Sequence, residues 1–257
     1  MALPVYTVHL GSKGQIVRWI QEALHLTADG TWGPGTDAAV KAFQASHGLT
    51  SDGVAGPKTL SALGIQVHLG LDVSHYQGTI DWVAVKAAGI YRVVVKVTQG
   101  NTGDDDTGPK NIKGALQAGL NDLLVYHFAV PDNRANDALQ EAANAVQHAM
   151  GRTVVLDLEQ TNGLGSVALG DWTGTFLREV ERLSGKTPWL YTTGDYLKNR
   201  ISQEDLSKYP KWIARYWGRD DDPDAPCEWS MWQFTGHGSC PGISGNVDMN
   251  WVVERSM

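Results

Sequence analysis

Four acidic residues, Asp72, Asp157, Glu159 and Asp248, carry the chemistry this chain could perform. Two of them close the segment Val154-Val155-Leu156-Asp157-Leu158-Glu159, where an aliphatic run ends in a D-x-E pair. Alternation along a strand sends Asp157 and Glu159 to one face and Leu158 to the other. Two carboxylates on one face of a partly dry site cannot both ionise freely. Repulsion and desolvation raise at least one of their pKa values. A carboxyl kept protonated near neutral pH can protonate a glycosidic oxygen. A neighbour kept ionised can stabilise positive charge at the anomeric carbon. An isolated D-x-E at a strand end is commonly structural, so its meaning depends on where Asp72 and Asp248 fall.

The elements that must position these acids begin after residue 65. Short apolar runs alternate there with helical patterns, which predicts βα units around a parallel sheet. Candidate strands are HLGLDV (68–73), YRVVVKV (91–97), LLVYHFAV (123–130), TVVLDLE (153–159), PWLYTT (188–193), KWIARY (211–216), SMWQFT (230–235) and NVDMNWV (246–252). Helical stretches fit between the early strands, and no helix fits between the last three. The pattern predicts a TIM-like (β/α) barrel with incomplete last helices, an open α/β sheet being the alternative. In such a barrel chemistry sits at the C-terminal strand ends. Asp72 ends the first strand, Asp157 and Glu159 the fourth, and Asp248 lies on the last, so closure would bring all four to one mouth.

Residues 1–65 read differently. Leu26–Val40, LTADGTWGPGTDAAV, and Leu49–Leu63, LTSDGVAGPKTLSAL, align without gaps at an offset of 23 residues, a period typical of small repeat units. Asp29-Gly30 and Asp52-Gly53 predict turns, since Gly accepts positive φ and Asp bonds its own backbone. Thr36 and Thr59 precede helical patterns as candidate caps. Helices are expected near Ile16–Leu24 and through Ala38–Phe43. The prediction is a small all-α three-helix domain over 1–65, followed by a catalytic barrel over 66–257.

The net charge of -7 and pI near 5.6 give no basic footprint for nucleic acid. No apolar run approaches the ~20 residues that span a bilayer, so membrane insertion is not expected. The opening MALPVYTVHLGSKG lacks a basic segment followed by an apolar one, which reads as no signal peptide. The expectation is synthesis in a host cytoplasm, then action on the cell wall (the periplasm) after release by another protein's membrane lesion. No metal-binding spacing joins the 8 His, and no metal or cofactor is implied. Cys227 and Cys240 are read as free thiols, with pairing after export left open. A monomer is expected. Ten Trp supply flat apolar faces that suit sugar rings, although any one of them can be core.

Two resemblances follow from these segments. LGSKGQIVRWIQEAL, DGTWGPGTDAAVKAFQASHGL and DGVAGPKTLSAL resemble the small helical peptidoglycan-binding domain of wall hydrolases, over about residues 9 to 64. GLDVSHYQGTIDW (70–82), Tyr126-His127-Phe128, LDLE, WLYTTG, KWIARY and WQFTGHGSCPGISGNVDMN together resemble the glycoside hydrolase 25 family of lysozymes, over about 68 to 257. That resemblance implies cleavage of the β-1,4 bond between N-acetylmuramic acid and N-acetylglucosamine in bacterial peptidoglycan, in a modular arrangement like a phage endolysin. It implies Glu159 as general acid. Asp157 would orient or polarise the substrate N-acetyl group for internal assistance, with Asp72 and Asp248 positioning and balancing the pair. Attack by water directly stays open. Tyr126 is expected near the reacting sugar, and Tyr191, Trp212, Tyr216 and Trp232 are candidates to line the groove. Gln99, in VKVTQGN, stands where the family often has an acid, and is carried as a sugar contact without charge. His75 is read as a loop residue. A chitinase-like glycosidase and a non-catalytic wall-binding protein are the competing readings.

Overall fold

The computed structural model describes residues 3–201, 206–216, 223 and 225–256. These form two compact units. One holds 3–68 with 223 and 251–256, and the other holds the described residues of 69–216 with 225–250. The division is therefore not linear in the chain. Within the first unit, Trp251 meets Tyr6 edge-on at 5.3 Å, and Ser256 donates its N–H to the Gly64 carbonyl at 2.9 Å.

The first unit contains three helices, α1 (Gln15–Ala23), α2 (Pro34–Ser46) and α3 (Pro57–Ala62). α2 and α3 each open with proline, whose fixed φ and missing N–H suit that position. The two Asp-Gly turns form as expected, with Gly30 and Gly53 at φ of 71° and 76°. Asp29 Oδ1 accepts from Thr31 N, and Asp52 Oδ1 from Val54 N, each at 2.8 Å. The expected threonine caps do not form. Gly33 and Gly56 occupy the cap positions, without a side-chain cap bond. Thr36 and Thr59 lie inside the first turn, where each hydroxyl accepts from a buried glutamine, Gln21 or Gln44, at 3.1 Å. A side chain of the preceding helix, 15 residues back, thus takes the oxygen that local capping would have used.

The second unit is built on a closed barrel. The barrel strands are β1 (Ile65–Val73), β2 (Arg92–Gln99), β4 (Asp122–Phe128), β5 (Thr153–Asp157), β6 (Trp189–Thr193), β7 (Lys211–Ala214), β8 (Met231–Gly238) and β9 (Val247–Arg255), of which β1 from residue 69 and β9 up to residue 250 belong to this unit. A two-residue strand, β3 (Gly103–Asp104), pairs antiparallel with the end of β2. The order β1-β9-β8-β7-β6-β5-β4-β2, with β1 also paired to β2, closes the ring. Pairings from β1–β2 round to β7–β8 are parallel. Helices α4 (Trp82–Ala87), α5 (Gly108–Gln117), α6 (Asp137–His148) and α7 (Ser166–Ser184) cover the early strands. A single π-helical turn, Tyr196–Arg200, follows β6. Among the described residues, no helix follows β7 or β8, in keeping with the expected incomplete ring. Only eight residues, 239–246, join β8 to β9, too few for a parallel crossover, which needs a dozen or more.

The barrel wall is aliphatic. Val93, Val94, Val95, Val125, Val155, Leu156 and Leu190 have no exposed surface. Two buried polar knots hold the loops near the mouth. His127 on β4 turns outward, its Nε2 2.7 Å from Glu141 Oε2 on α6 and its Nδ1 2.8 Å from Thr98 Oγ1 on β2. Burial pushes the His127 pKa down; in its neutral form the ring donates from Nε2, since the Glu141 carboxylate can only accept, and accepts at Nδ1 from Thr98. Glu141 also accepts the Val130 N–H at 3.1 Å, tying the β4 loop to α6. Asp137 accepts from Asn101 Nδ2 at 2.7 Å, Asp132 N at 3.0 Å and Trp172 Nε1 at 2.9 Å. The free thiols split, with Cys227 exposed and Cys240 buried.

Candidate active site

Each acid reaches the mouth by its place in a strand. Asp72 is next to last in β1 and only 6% exposed. Asp157 ends β5 and is equally buried. Glu159 lies two residues on, exposed to solvent. The alternation continues past the strand, because Leu158 N donates to Tyr191 O at 3.0 Å and Leu158 O accepts from Thr192 Oγ1 at 2.7 Å. Leu158 is fully buried, while the Glu159 charge acts on the Asp157 carboxyl and raises its pKa. Asp248 is the second residue of β9, yet its charge acts on the Asp72 carboxyl and raises its pKa. The last strand therefore starts at the rim where β1 and β5 finish. The structure thus brings all four acids together, with Asp248 supplied from the start of the last strand.

Beneath the acids lies a donor network centred on Asn250 and Gln233, two residues that sequence reasoning did not select. Trp212 Nε1 donates to Asn250 Oδ1 at 2.8 Å. An indole N–H can only donate, which orients the Asn250 amide. Its Nδ2 then donates to Asp72 Oδ2 at 2.8 Å. Gln233 Nε2 donates to both Asp72 oxygens at 3.2 and 3.1 Å. The hydroxyls of Tyr191 and Tyr216 each donate to Gln233 Oε1 at 2.8 Å. Asn250 and Gln233 are 0% and 2% exposed. The signal that could have found them was a neutral amide inside WQF and VDMN, in phase with an inward face. We expect Gln233→Leu to lower stability by about 1–3 kcal/mol, since two tyrosine hydroxyls and the Asp72 carboxyl lose a buried partner. Urea unfolding of the variant checks this.

The predicted aromatics divide. Tyr126 is partly exposed, between β2 and β5, within the field of Asp72, Asp157 and Asp248. Burial and then those charges push its hydroxyl pKa well up. Tyr191 and Trp212 pack together with centroids 4.4 Å apart and are 4% and 2% exposed. They support the network from below rather than lining a groove. Tyr216 stands at the rim, 52% exposed, its pKa pushed up to about 12 by burial and Asp248. Trp232 is a correction. It is fully buried, donates to the Arg215 carbonyl at 2.9 Å and packs edge-on with Trp229 and Phe234. Gln233 takes the inward position, so its neighbour must turn away. Tyr196, not foreseen, donates its hydroxyl to the Glu159 carbonyl at 2.6 Å and fixes the backbone there.

Gln99 is exposed at the end of β2 and accepts from Lys96 Nζ at 2.9 Å. A bulge between Lys96 and Thr98 pairs Lys96 with Tyr126, Thr98 with His127 and Gln99 with Phe128. The extra residue puts Lys96 and Gln99 on the mouth side together, as bulges do when they re-aim side chains. Lys96 also lies 5.0 Å from the Phe128 ring centroid, and its charge lowers the Asp157 pKa. His75 sits in a short 3₁₀ turn, its Nδ1 2.9 Å from Asp105 Oδ2, a loop brace as expected. A side chain at Gly236 would place its Cβ 3.1 Å from Asp248 Oδ1, so a small residue keeps that carboxyl clear.

Burial pushes the carboxyl pKa of Asp72 well up, and the Asp248 charge adds to it, with Asn250 and Gln233 pulling the other way. Burial and then the Glu159 charge do the same to Asp157, whose Oδ1 is buried without a partner among the described residues. Burial also raises Asp248. The cluster can therefore hold protons at pH values where free carboxyls have lost them, beside an exposed Glu159. That is the equipment of acid-assisted bond cleavage. Among the described residues, no group of three or more His, Cys, Asp or Glu side chains is arranged to hold a metal ion.

Comparison with known proteins agrees with this geometry. The model of glycosyl hydrolases family 25 matches residues 71–243. That of a peptidoglycan binding domain matches 13–63. Lysozyme M1 of Streptomyces globisporus is 31% identical over 197 residues, covering 70% of this chain and 66% of that protein, so just under two thirds of the relative is spanned. The crystal structure of a lysozyme from Streptomyces coelicolor superposes with a TM-score of 0.64 at 29% identity, over 71% of this chain and 90% of that one. The catalytic domain of an endolysin from a Listeria monocytogenes bacteriophage gives 0.61 at 26% identity, over 72% and 92%. The family match spans most of the barrel and contains Asp72, Asp157 and Glu159, and on that ground the chain belongs to glycosyl hydrolases family 25.

Proposed function

We propose that this chain is a peptidoglycan hydrolase of the endolysin kind, cleaving the β-1,4 bond between N-acetylmuramic acid and N-acetylglucosamine. The observation that supports the reading is the acid pair at the mouth, Asp157 buried and Glu159 exposed two residues on, beside a buried Asp72 held by Gln233 and Asn250. Glu159 gives its proton to the glycosidic oxygen. Asp157 orients the N-acetyl group of the sugar, whose carbonyl oxygen attacks the anomeric carbon as the bond to the leaving sugar breaks. Water then opens the cyclic intermediate. Asp72, held by Gln233 and Asn250, sets the position of Asp248 and the charge of the cluster. Tyr126 and Tyr216 flank the sugar. The N-terminal unit holds the enzyme on the wall and raises its local concentration on an insoluble substrate. The names of the relatives, a lysozyme and a phage endolysin, support the substrate class.

Mass spectrometry of digested peptidoglycan tests the reading. The expected products carry N-acetylmuramic acid at the reducing end. N-acetylglucosamine at that end would mean a glucosaminidase. Cleavage of chitin oligomers but not of peptidoglycan would favour a chitinase-like enzyme.

A further inference from the structure

We propose that the N-terminal unit carries two equivalent peptide-binding pockets, one per repeat, and that each takes a segment of wall stem peptide rather than glycan. The proposal deepens the wall-binding reading and rests on it. The two repeats share more than sequence. Gln21 Nε2 donates to Asp29 Oδ1, the carbonyl of Thr31 and Thr36 Oγ1 at 2.8, 3.0 and 3.1 Å, and Gln21 Oε1 accepts from Gly30 N at 2.8 Å. At an offset of 23 residues, Gln44 makes the same four bonds to Asp52, Val54, Thr59 and Gly53 at 3.1, 3.0, 3.1 and 3.0 Å. Beside each clamp lies a hollow, about 270 Å³ in the first repeat and about 360 Å³ in the second. Their walls correspond position by position, with Leu26, Thr27 and Asp29 facing the first and Leu49, Thr50 and Asp52 the second.

The chemistry of these walls selects the ligand. In each aspartate, the clamp and a backbone N–H hold Oδ1, while Oδ2 makes no hydrogen bond among the described residues. Backbone N–H bonds lower both carboxyl pKa values, so each pocket presents a fixed, ionised acceptor. A leucine wall and a threonine lie beside it. This set suits a short peptide with amide or ammonium donors and small alkyl side chains. Pyranose faces call for a flat aromatic platform. Neither pocket has an aromatic wall; Tyr6, Trp19 and Trp32 of this unit are 5%, 7% and 1% exposed, and the half-buried Phe43 stacks on His47 outside both pockets. The pockets differ in Thr31 against Val54, in Pro57, which lines only the second, and at the rim in Gly35 against Lys58. The lysine adds a cation for a peptide carboxylate, so the second pocket should bind more tightly.

Calorimetry on the full chain carrying Glu159→Gln, with a synthetic stem pentapeptide and with peptide-free wall glycan as probes, tests this. Two peptide sites per chain are expected, and no glycan site outside the barrel. Gly35→Trp should remove one site and Lys58→Trp the other. Both positions are solvent-exposed, and a Cβ at Gly35 meets nothing within 4 Å, so both variants should keep the wild-type circular dichroism. Together they should weaken sedimentation with walls by about 10²-fold, the scale of lost bivalency. A single peptide site, sites untouched by both substitutions, or glycan binding that the two substitutions abolish would overturn the proposal while wall binding stands. Failure of the unsubstituted chain to sediment with walls at all would instead sink the wall-binding reading, and the proposal with it.

Discussion

Glu159→Gln should cut turnover of peptidoglycan by about 10²–10⁴-fold, the range expected when a general acid is removed, while sedimentation with walls is unchanged. The effect should fall on kcat. The exposed carboxyl at this position contacts the scissile oxygen in the proposed reaction, and an amide of the same shape keeps substrate contacts without a proton to give. The neighbourhood predicts that the fold tolerates the change. Glu159 is exposed, its backbone carbonyl is held by Tyr196, and a neutral amide removes one charge that now raises Asp157 and Asp248. Rates on purified walls, with thermal unfolding as the folding control, measure this. Retention of more than a tenth of wild-type turnover would assign the acid role elsewhere in the cluster.

Asp157→Asn should do two opposite things, lowering activity by about 10²–10³-fold, the scale of one lost electrostatic contact at a reacting centre, and raising thermal stability at neutral pH. The sign follows from linkage. Burial and Glu159 push the Asp157 carboxyl pKa above its ordinary value of 3.8 in the folded chain. The folded state then binds more protons here than the unfolded state, so this group weakens the fold as pH rises from its unfolded pKa through its folded one. Asparagine removes that penalty. The gain should be small at pH 4 and grow towards pH 8, by roughly 2–4 °C in Tm for each kcal/mol relieved. Unfolding scans across that range test it. A variant less stable than the wild type by the same amount at every pH would show that the carboxylate is needed for packing, and would refute the strained-cluster description.

Much of the site was legible because its signals are local. A strand that ends in D-x-E directs both carboxyls to one side whatever the strand pairs with, and Asp157 and Glu159 do meet. The Asp-Gly turns were equally local, because positive φ at Gly30 and Gly53 and the Asx bonds need only neighbouring residues. The alternation of apolar runs with helical patterns was enough to predict a barrel, and the strands from β1 to β6, the two-residue β3 apart, follow it.

Other features depended on closure. Trp232 and Gln233 are adjacent, and only the phase of β8 in the ring decides which faces the acids. The bulge after Lys96 shifts that phase within one strand and leaves no mark in hydrophobic periodicity. The short β8–β9 connection carries Asp248 to the rim at the start of its strand. In the N-terminal unit, Gln21 and Gln44 take threonine hydroxyls that local rules had assigned to helix caps. The sequence by itself determined the elements, the repeat and the paired acids, because these rest on dihedral preference and alternation between near neighbours. Only the tertiary structure decided that Asp72 is held by Gln233 and Asn250, 161 and 178 residues away, because a hydrogen bond between distant strands exists only once the ring that joins them has closed.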